Sequence, residues 1–367
     1  MSDYQIQKKL DYTERFKNVL QELPDFCTLY FRAVEPTTSI LTRYGYAIDL
    51  RTFFRFLTSG RIKQFSGKEI QELKSSDMER LSSLDIELYL EYISLYKEQT
   101  SGEIKIIENN ERAKSRKLSA IRALFKFLYK KSIISTNCAA LVDTPKLHEK
   151  AIIRLEANEV ADLLDTAEQG SGMSSVQRRY HDNTKLRDVA ILSLFLGTGI
   201  RISELVGIDL NDIDFSKNEF VITRKGGNQE TLAFGPEVAS ALSDYLESRK
   251  TVIPLAGHEN AFFLSLQRKR ITPRAVENLV KKYAQIATPL KKITPHKLRS
   301  TYGTMLYQES GDIYLVADVL GHKDVNTTRK HYAAMTEEKS RLAAKYIKLR
   351  EENIDSPISA ASSDEDL

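Results

Sequence analysis

Eight residues in the middle of the chain, Asp143-Thr-Pro-Lys-Leu-His-Glu-Lys150, limit what it can fold into more than any others. They have no apolar periodicity, and Pro145 cannot continue a helix and pushes its predecessor towards extended backbone. Regular patterns run up to this stretch and resume after it. With 367 residues to place, and roughly 150 per domain as the usual size, the chain reads as two separately packed cores joined here. The expected boundaries are a helical arm over 1–22, a helical domain over 23–145, a linker over 146–154, a second domain over 155–350 and a tail over 351–367.

Upstream of the break the pattern reads as helical from Pro24 to Pro145. Ile40, Tyr44, Ala47 and Phe54 recur at helical spacings, with Gly60 as a stop. Asp85 to Tyr96 reads as another amphipathic helix. The clearest helix covers roughly Glu111 to Lys131, with Leu118, Ile121, Phe125 and Leu128 as its apolar seam. Arg122, Lys126 and Lys130 recur every fourth residue beside that seam, and Arg112, Lys114, Arg116 and Lys117 precede them. By itself the later trio reads as a solvated helix face. The dense set, with Arg112, Lys114, Arg116, Lys117, Arg122 and Lys126 at its centre, suits a helix lying along a phosphate backbone.

Downstream, Glu156 to Gln169 reads as a helix capped by Gly170, and Gly170 to Asn183 as a polar loop. Asp188 to Leu196 is an apolar helix interrupted at Gly197-Thr-Gly199. Glu219–Arg224, the Gly226-Gly227-Asn228 turn and Glu230–Phe234 form an expected β-hairpin. Helical patterns then dominate to Arg350.

Charge is distributed unevenly. The formal net charge is +4, but the last seventeen residues carry six acids and no base, which leaves +10 on residues 1–350. Such an excess favours a polyanionic partner. Two cysteines, Cys27 and Cys138, supply neither a disulfide framework nor a four-thiolate metal site, which fits a reducing cytosol. Met1–Phe16 does not read as a signal peptide, and the apolar run from Val189 to Ile200 is shorter than the ~20 residues of a membrane helix. No membrane association is expected.

Four stretches of the second domain carry the chemistry. In Gly197-Thr-Gly-Ile-Arg201-Ile-Ser-Glu204, a glycine-flanked turn opens a helix whose start offers Arg201 and backbone N–H groups to an anion. Arg201 and Glu204 share a helix face, and an ordinary surface ion pair is the plainer reading. Lys225 stands where a strand enters a glycine turn, an exposed tip suited to giving up a proton, or placed there for solubility alone. Thr294-Pro-His296-Lys-Leu-Arg299 starts a helix and sets His296 and Arg299 on one face, a pair that attracts an anion. Leu320-Gly-His322 ends a helix, and Tyr332 follows ten residues later.

Among seventeen tyrosines, Tyr332 means nothing alone. No histidine lies in a metal-ligand spacing, so no metal or cofactor is expected. Two arginines and two histidines instead suit a metal-free phosphoryl-transfer site, in which cations stabilise a pentacoordinate transition state and a lysine protonates the departing oxygen. A phenol, with a pKa of about 10, is a sensible nucleophile because its phosphate ester remains reversible by a sugar hydroxyl.

In this order and spacing the four stretches resemble the tyrosine recombinase (phage integrase) family, especially its Xer-like and mobile-element members. Residues 155–350 resemble the catalytic domain. Residues 24–145 resemble the helical, SAM-like core-binding domain, notably Lys117-Leu-Ser-Ala-Ile-Arg122 followed by Phe125-Lys-Phe-Leu128. The resemblance implies a mainly α protein with a small β-hairpin or sheet, built as a two-domain C-shaped clamp on DNA. It implies that Arg201 and Arg299 clamp the phosphate, Glu204 supports Arg201, Lys225 protonates the 5′-oxygen, and His296 assists the tyrosine proton. His322 would donate to the scissile phosphate and Tyr332 would form the 3′-phosphotyrosyl bond. It also implies a homotetramer on two double-stranded DNA sites, strand exchange through a Holliday junction, no metal or ATP, and work at the nucleoid in the cytoplasm.

Three positions depart from the family pattern. Ser300 follows Arg299 where many relatives have histidine, Asn228 replaces a frequent second base, and the His322–Tyr332 interval is one residue longer than in many Xer-type relatives. After Tyr332, Leu342, Tyr346, Ile347 and Leu349 make an apolar stripe, to be packed on its own domain or, as the resemblance suggests, docked into a neighbouring subunit. A type IB topoisomerase and a catalytically silent DNA-binding protein on the same scaffold are the alternatives. Filled catalytic positions argue against the second. For a recombinase, chromosome dimer resolution and mobile-element integration or excision both fit.

Overall fold

The computed structural model describes residues 3–100, 103–146, 153–224, 227–321 and 325. The chain divides into two compact units, Met1–Lys150 and Ala151–Leu367. Helices predominate, with a two-stranded sheet in the first unit and a three-stranded sheet in the second.

In the first unit, α1 (Asp3–Gln21), α2 (Phe26–Val34), α3 (Ile40–Phe56), α4 (Ser75–Met78) and α5 (Ser83–Tyr92) precede a hairpin of β1 (Leu95–Thr100) and β2 (Glu103–Glu108), and α6 (Glu111–Lys130) follows. The core is aromatic: Tyr30, Phe53, Phe54, Phe56, Tyr89 and Phe125 are all fully buried. Two expectations need correction here. Residues 1–22 are not a separate arm, because α1 packs on α3 and sinks Phe16 and Val19 into the common core, the Phe16 ring 5.0 Å from that of Phe31. Nor is 24–145 helical throughout. Residues 95–108 pair antiparallel from Leu95↔Glu108 to Thr100↔Glu103. The reason is a period of two: Tyr96 lies opposite Ile107 and packs on the core, while Leu95, Ile104 and Ile106 remain exposed.

The second unit contains α7 (Ala157–Gln169), α8 (Ser175–His181), α9 (Lys185–Thr198) and α10 (Ile202–Leu205). An antiparallel sheet follows, ordered β3 (Ile213–Asp214), β4 (Glu219–Thr223) and β5 (Gln229–Ala233). The remaining helices are α11 (Pro236–Lys250), α12 (Pro273–Ala287), α13 (Pro295–Ser310) and α14 (Ile313–Val319). As read from the sequence, α7 ends on Gly170 in the left-handed region, and the 219–234 segment is a hairpin. Residues 170–183, expected as a loop, include the helix α8. Its start is closed reciprocally, Gln177 N–H donating to the Ser174 hydroxyl and Ser174 N–H to the Gln177 side chain. Its end is fixed by His181, buried with Nδ1 3.1 Å from the Tyr283 hydroxyl.

Helix α9 is the axis of this unit, with α7, α11 and α13 packed around it and Ile191, Leu192, Leu194 and Phe195 fully buried. Its buried Asp188 accepts from Thr184, Arg187, Lys282 and Tyr283, which holds the start of the helix in place. Its other end leads to Arg201. Gly199 there has φ of 61°, and a side chain on it would run into the Tyr302 ring and Leu320. Among the described residues, no helix is long and apolar enough to cross a membrane.

Candidate active site

Arg201 stands immediately before α10. Its backbone N–H donates to Glu204 Oε2 at 2.9 Å and its Nη1 to Glu204 Oε1 at 3.0 Å. The N–H expected to address an anion is therefore taken by Glu204, the ordinary fate of a first-turn donor beside an acid three residues on. This is no surface ion pair: the Glu204 side chain is only 3% exposed, against 34% for Arg201. A carboxylate so far out of water needs its partners, whereas the arginine retains an open side.

Helix α14 organises the rest. The last carbonyls of any helix have no partner within it and carry its partial negative charge. Here the backbone passes through Gly321 at φ of 58°, and arginines from three other elements converge on those carbonyls. Arg201 Nη2 donates to Leu320 O at 3.2 Å and Gly321 O at 3.1 Å. Arg299, one turn into α13 and buried, donates from Nη2 to the same Leu320 O and from Nη1 to Gly199 O. Arg224, at the end of β4, reaches Val319 O at 3.1 Å. Two guanidinium groups thus share one acceptor, bringing 201 and 299 together from positions 98 residues apart.

Arg224 is the residue the sequence reading passed over. Its guanidinium grips Glu230 in a two-pronged bond, both distances 2.7 Å, and lies 3.4 Å from Glu204 Oε2. That bond holds the Glu230 carboxyl below the usual glutamate range. Burial opposes the shift, and the charges of Arg224, Arg201 and Arg299 add to it. Nothing in the residue types around 224 marks it out, since an arginine before a lysine on a hairpin reads as surface charge.

His296 lies exposed in the first turn of α13, three residues before Arg299, and the helix starts at Pro295 as the sequence suggested. Lys225, His322 and Tyr332 lie outside the described residues, as do the apolar stripe from Leu342 to Leu349 and the acidic tail. Among the described residues, no group of three or more His, Cys, Asp or Glu side chains is arranged to hold a metal ion.

The cations of α6 divide differently. Lys117 is a correction: it is buried on the core side of the helix, its Nζ 3.2 Å from Oδ1 of the fully buried Asp49. Arg116 bonds the other oxygen of Asp49 while half exposed. Arg122 is turned onto its own unit, donating to Ala139 O at 3.2 Å, to Thr144 Oγ1 at 2.7 Å and to Val142 O. Lys114 meets Glu111 at 2.9 Å and Ser94 Oγ at 3.3 Å. Arg112 and Lys126 are exposed.

A pair of guanidinium groups steered to one point by fixed carbonyls and a buried carboxylate is suited to a tetrahedral or trigonal-bipyramidal oxyanion. Comparison with known proteins gives the family. Residues 153–339 match the phage integrase family. The chain is 33% identical over 331 residues to tyrosine recombinase XerC of Caldanaerobacter subterraneus subsp. tengcongensis, covering 88% of this chain and 85% of that one. It is 29% identical over 346 residues to tyrosine recombinase XerS of Lactococcus lactis subsp. cremoris, covering 89% and 95%. Two solved structures share the fold. XerH bound to palindromic difH aligns with a TM-score of 0.59 at 17% identity, over 83% of this chain and 80% of that one. Tn1549 transposon integrase with transposon right end DNA aligns with a TM-score of 0.59 at 19% identity, over 86% and 99%. By its sequence match, its fold and the pairing of Arg201 with Arg299, the chain belongs to the phage integrase family of tyrosine recombinases.

Proposed function

We propose that this chain carries out site-specific DNA recombination by cleaving and rejoining double-stranded DNA through a 3′-phosphotyrosyl intermediate. The Tyr332 oxygen attacks the scissile phosphorus, the O–P bond to tyrosine forms, and the bond from phosphorus to the 5′-oxygen breaks. Lys225 delivers the proton that the departing oxygen takes up. Arg201 and Arg299 stabilise the charge that builds on the non-bridging oxygens, with Glu204 holding Arg201, His322 donating to the same phosphate and His296 assisting removal of the tyrosine proton. The phosphotyrosine conserves the bond energy, so rejoining needs neither ATP nor metal.

The observation that carries this reading is the sharing of Leu320 O by Arg201 and Arg299. The names of the relatives support the substrate: XerC and XerS are tyrosine recombinases, and XerH was solved bound to its difH site. In the same reading, residues 23–145 grip the DNA and residues 155–350 do the chemistry. Four copies assemble on two sites, linked by the 342–349 stripe docking into a neighbour. The protein works on the nucleoid in the cytoplasm.

The test is a nicked suicide substrate, from which the strand end diffuses away and traps the covalent adduct. Wild-type protein should accumulate the adduct in the presence of EDTA. Tyr332→Phe should form none while still binding the duplex, since it lacks one hydroxyl. An adduct of undiminished yield in that variant would remove Tyr332 from the mechanism. On a two-site plasmid, resolved or inverted products mark a recombinase, and relaxed topoisomers alone would mark a type IB topoisomerase.

A further inference from the structure

Arg224 has no role in the chemistry described above, yet among the described residues of the hairpin its side chain is tied to three separate parts of the site. The main chain of Arg224 closes the turn that follows β4: its N–H donates to Asn228 O at 2.8 Å, and its carbonyl accepts from Gly227 N–H at 3.0 Å. The side chain, only 9% exposed, then anchors that closure to three places. It grips Glu230 on β5, meets Glu204 on α10, and donates to Val319 O at the end of α14. Gly321 lies against the same guanidinium, where a Cβ would come within 3.0 Å of Cζ. Solubility does not require such a set. An exposed arginine would make one weak pair at most, whereas this one is desolvated, bidentate and shared among elements far apart in sequence.

We propose that Arg224 is a positioning residue for the proton-transfer step. By fixing the root of the turn to α10 and to the end of α14, it sets where the next residue, Lys225, meets the departing 5′-oxygen. The inference rests on the recombinase reading and deepens it. Proton transfer is steep in distance and angle, and a general acid contributes on the order of 10²–10⁴ in rate when correctly held. A turn released from its anchor retains the lysine but loses that placement. Lysine at 224 cannot replace the anchor, because an ammonium has no planar fork with which to hold Glu230, Glu204 and Val319 O together.

The experiment compares cleavage by wild type, Arg224→Lys and Glu230→Gln on two suicide substrates. One has the ordinary 5′-oxygen; the other has sulfur in its place, which leaves without needing a proton. Arg224→Lys should slow cleavage of the oxygen substrate by about tenfold or more, and of the sulfur substrate by less than about threefold. Glu230→Gln, which removes half of the bidentate charge pairing, should shift both in the same sense by less. Equal slowing on both substrates in both variants would overturn the positioning role and leave Arg224 as a purely structural brace. Absence of adduct from wild-type protein on either substrate would instead bring down the recombinase reading and this inference with it.

Discussion

Helix α6 in the first unit and the arginine cluster in the second both concentrate positive charge, and they hold it in different ways. On α6 the paired cations are tied to their own helix or to neighbouring parts of their own unit. Lys117 and Arg116 neutralise Asp49, Arg122 ties down the segment from Ala139 to Thr144, and Lys114 answers Glu111. In the second unit the partners are held in common: Glu204 serves Arg201 and Arg224, and Leu320 O serves Arg201 and Arg299. The α6 partners brace the fold of one unit and offset part of its charge. In the second unit the shared partners draw cations from separate elements to one point against their mutual repulsion, an arrangement suited to receiving an anion.

Three tests can break or sharpen that contrast. The largest effect belongs to the shared cluster. Arg201→Ala should lower the rate of covalent adduct formation by about 10²–10³, the usual loss when one oxyanion donor is removed. Affinity for the duplex, measured by gel shift, should change little by comparison. A variant that cleaves at the wild-type rate would show that the cluster is structural, like α6.

Next comes the buried pair. Lys117→Met leaves Asp49 inside the aromatic core with Arg116 alone, and should destabilise the first unit by about 3 kcal/mol, read from urea unfolding. Asp49→Leu with Lys117→Met should recover most of the stability, since both charges then go together. If the single variant unfolds like wild type but binds DNA more weakly, Lys117 belongs to a DNA surface after all.

The smallest effect is expected at the exposed end of α6. Arg112→Gln and Lys126→Gln should each weaken DNA binding without altering the rate of cleavage at saturation. Each phosphate that is no longer neutralised should reduce the slope of log affinity against log salt by about one. An unchanged slope in the double variant would take α6 out of the interface.

Much of this architecture could be read where the signal is local. The left-handed glycine after α7, the glycine turn between β4 and β5, and the threonine–proline start of α13 all stand at or within a residue of where the sequence puts them, because each depends on a backbone preference of the residue itself. The hairpin of β1 and β2 was overrun by the helix before it, although the alternation Ile104-Lys-Ile106 after Ser101-Gly102 was there to be seen. Helix α8 is short and polar, and depends on burying His181 against a tyrosine 102 residues away, which no local pattern encodes. In Lys117 the helical period was the missed signal. It falls one turn before Ile121 on the buried face, and only Asp49, 68 residues earlier, makes a lysine tolerable there. Arg201, Glu204 and Arg299 were legible as a set through the order of their motifs. The carbonyls that assemble them were not, since a carbonyl belongs to every residue and its availability is decided by where a helix stops.

The shared acceptor at Leu320 has a mechanical consequence. One oxygen atom accepts from two guanidinium groups, so displacing the last turn of α14 by about the length of a hydrogen bond, roughly 3 Å, would cost both a contact at once, leaving Arg201 on Glu204 and Arg299 on Gly199 O. The seating of α14 therefore bears on both arginines in a single movement.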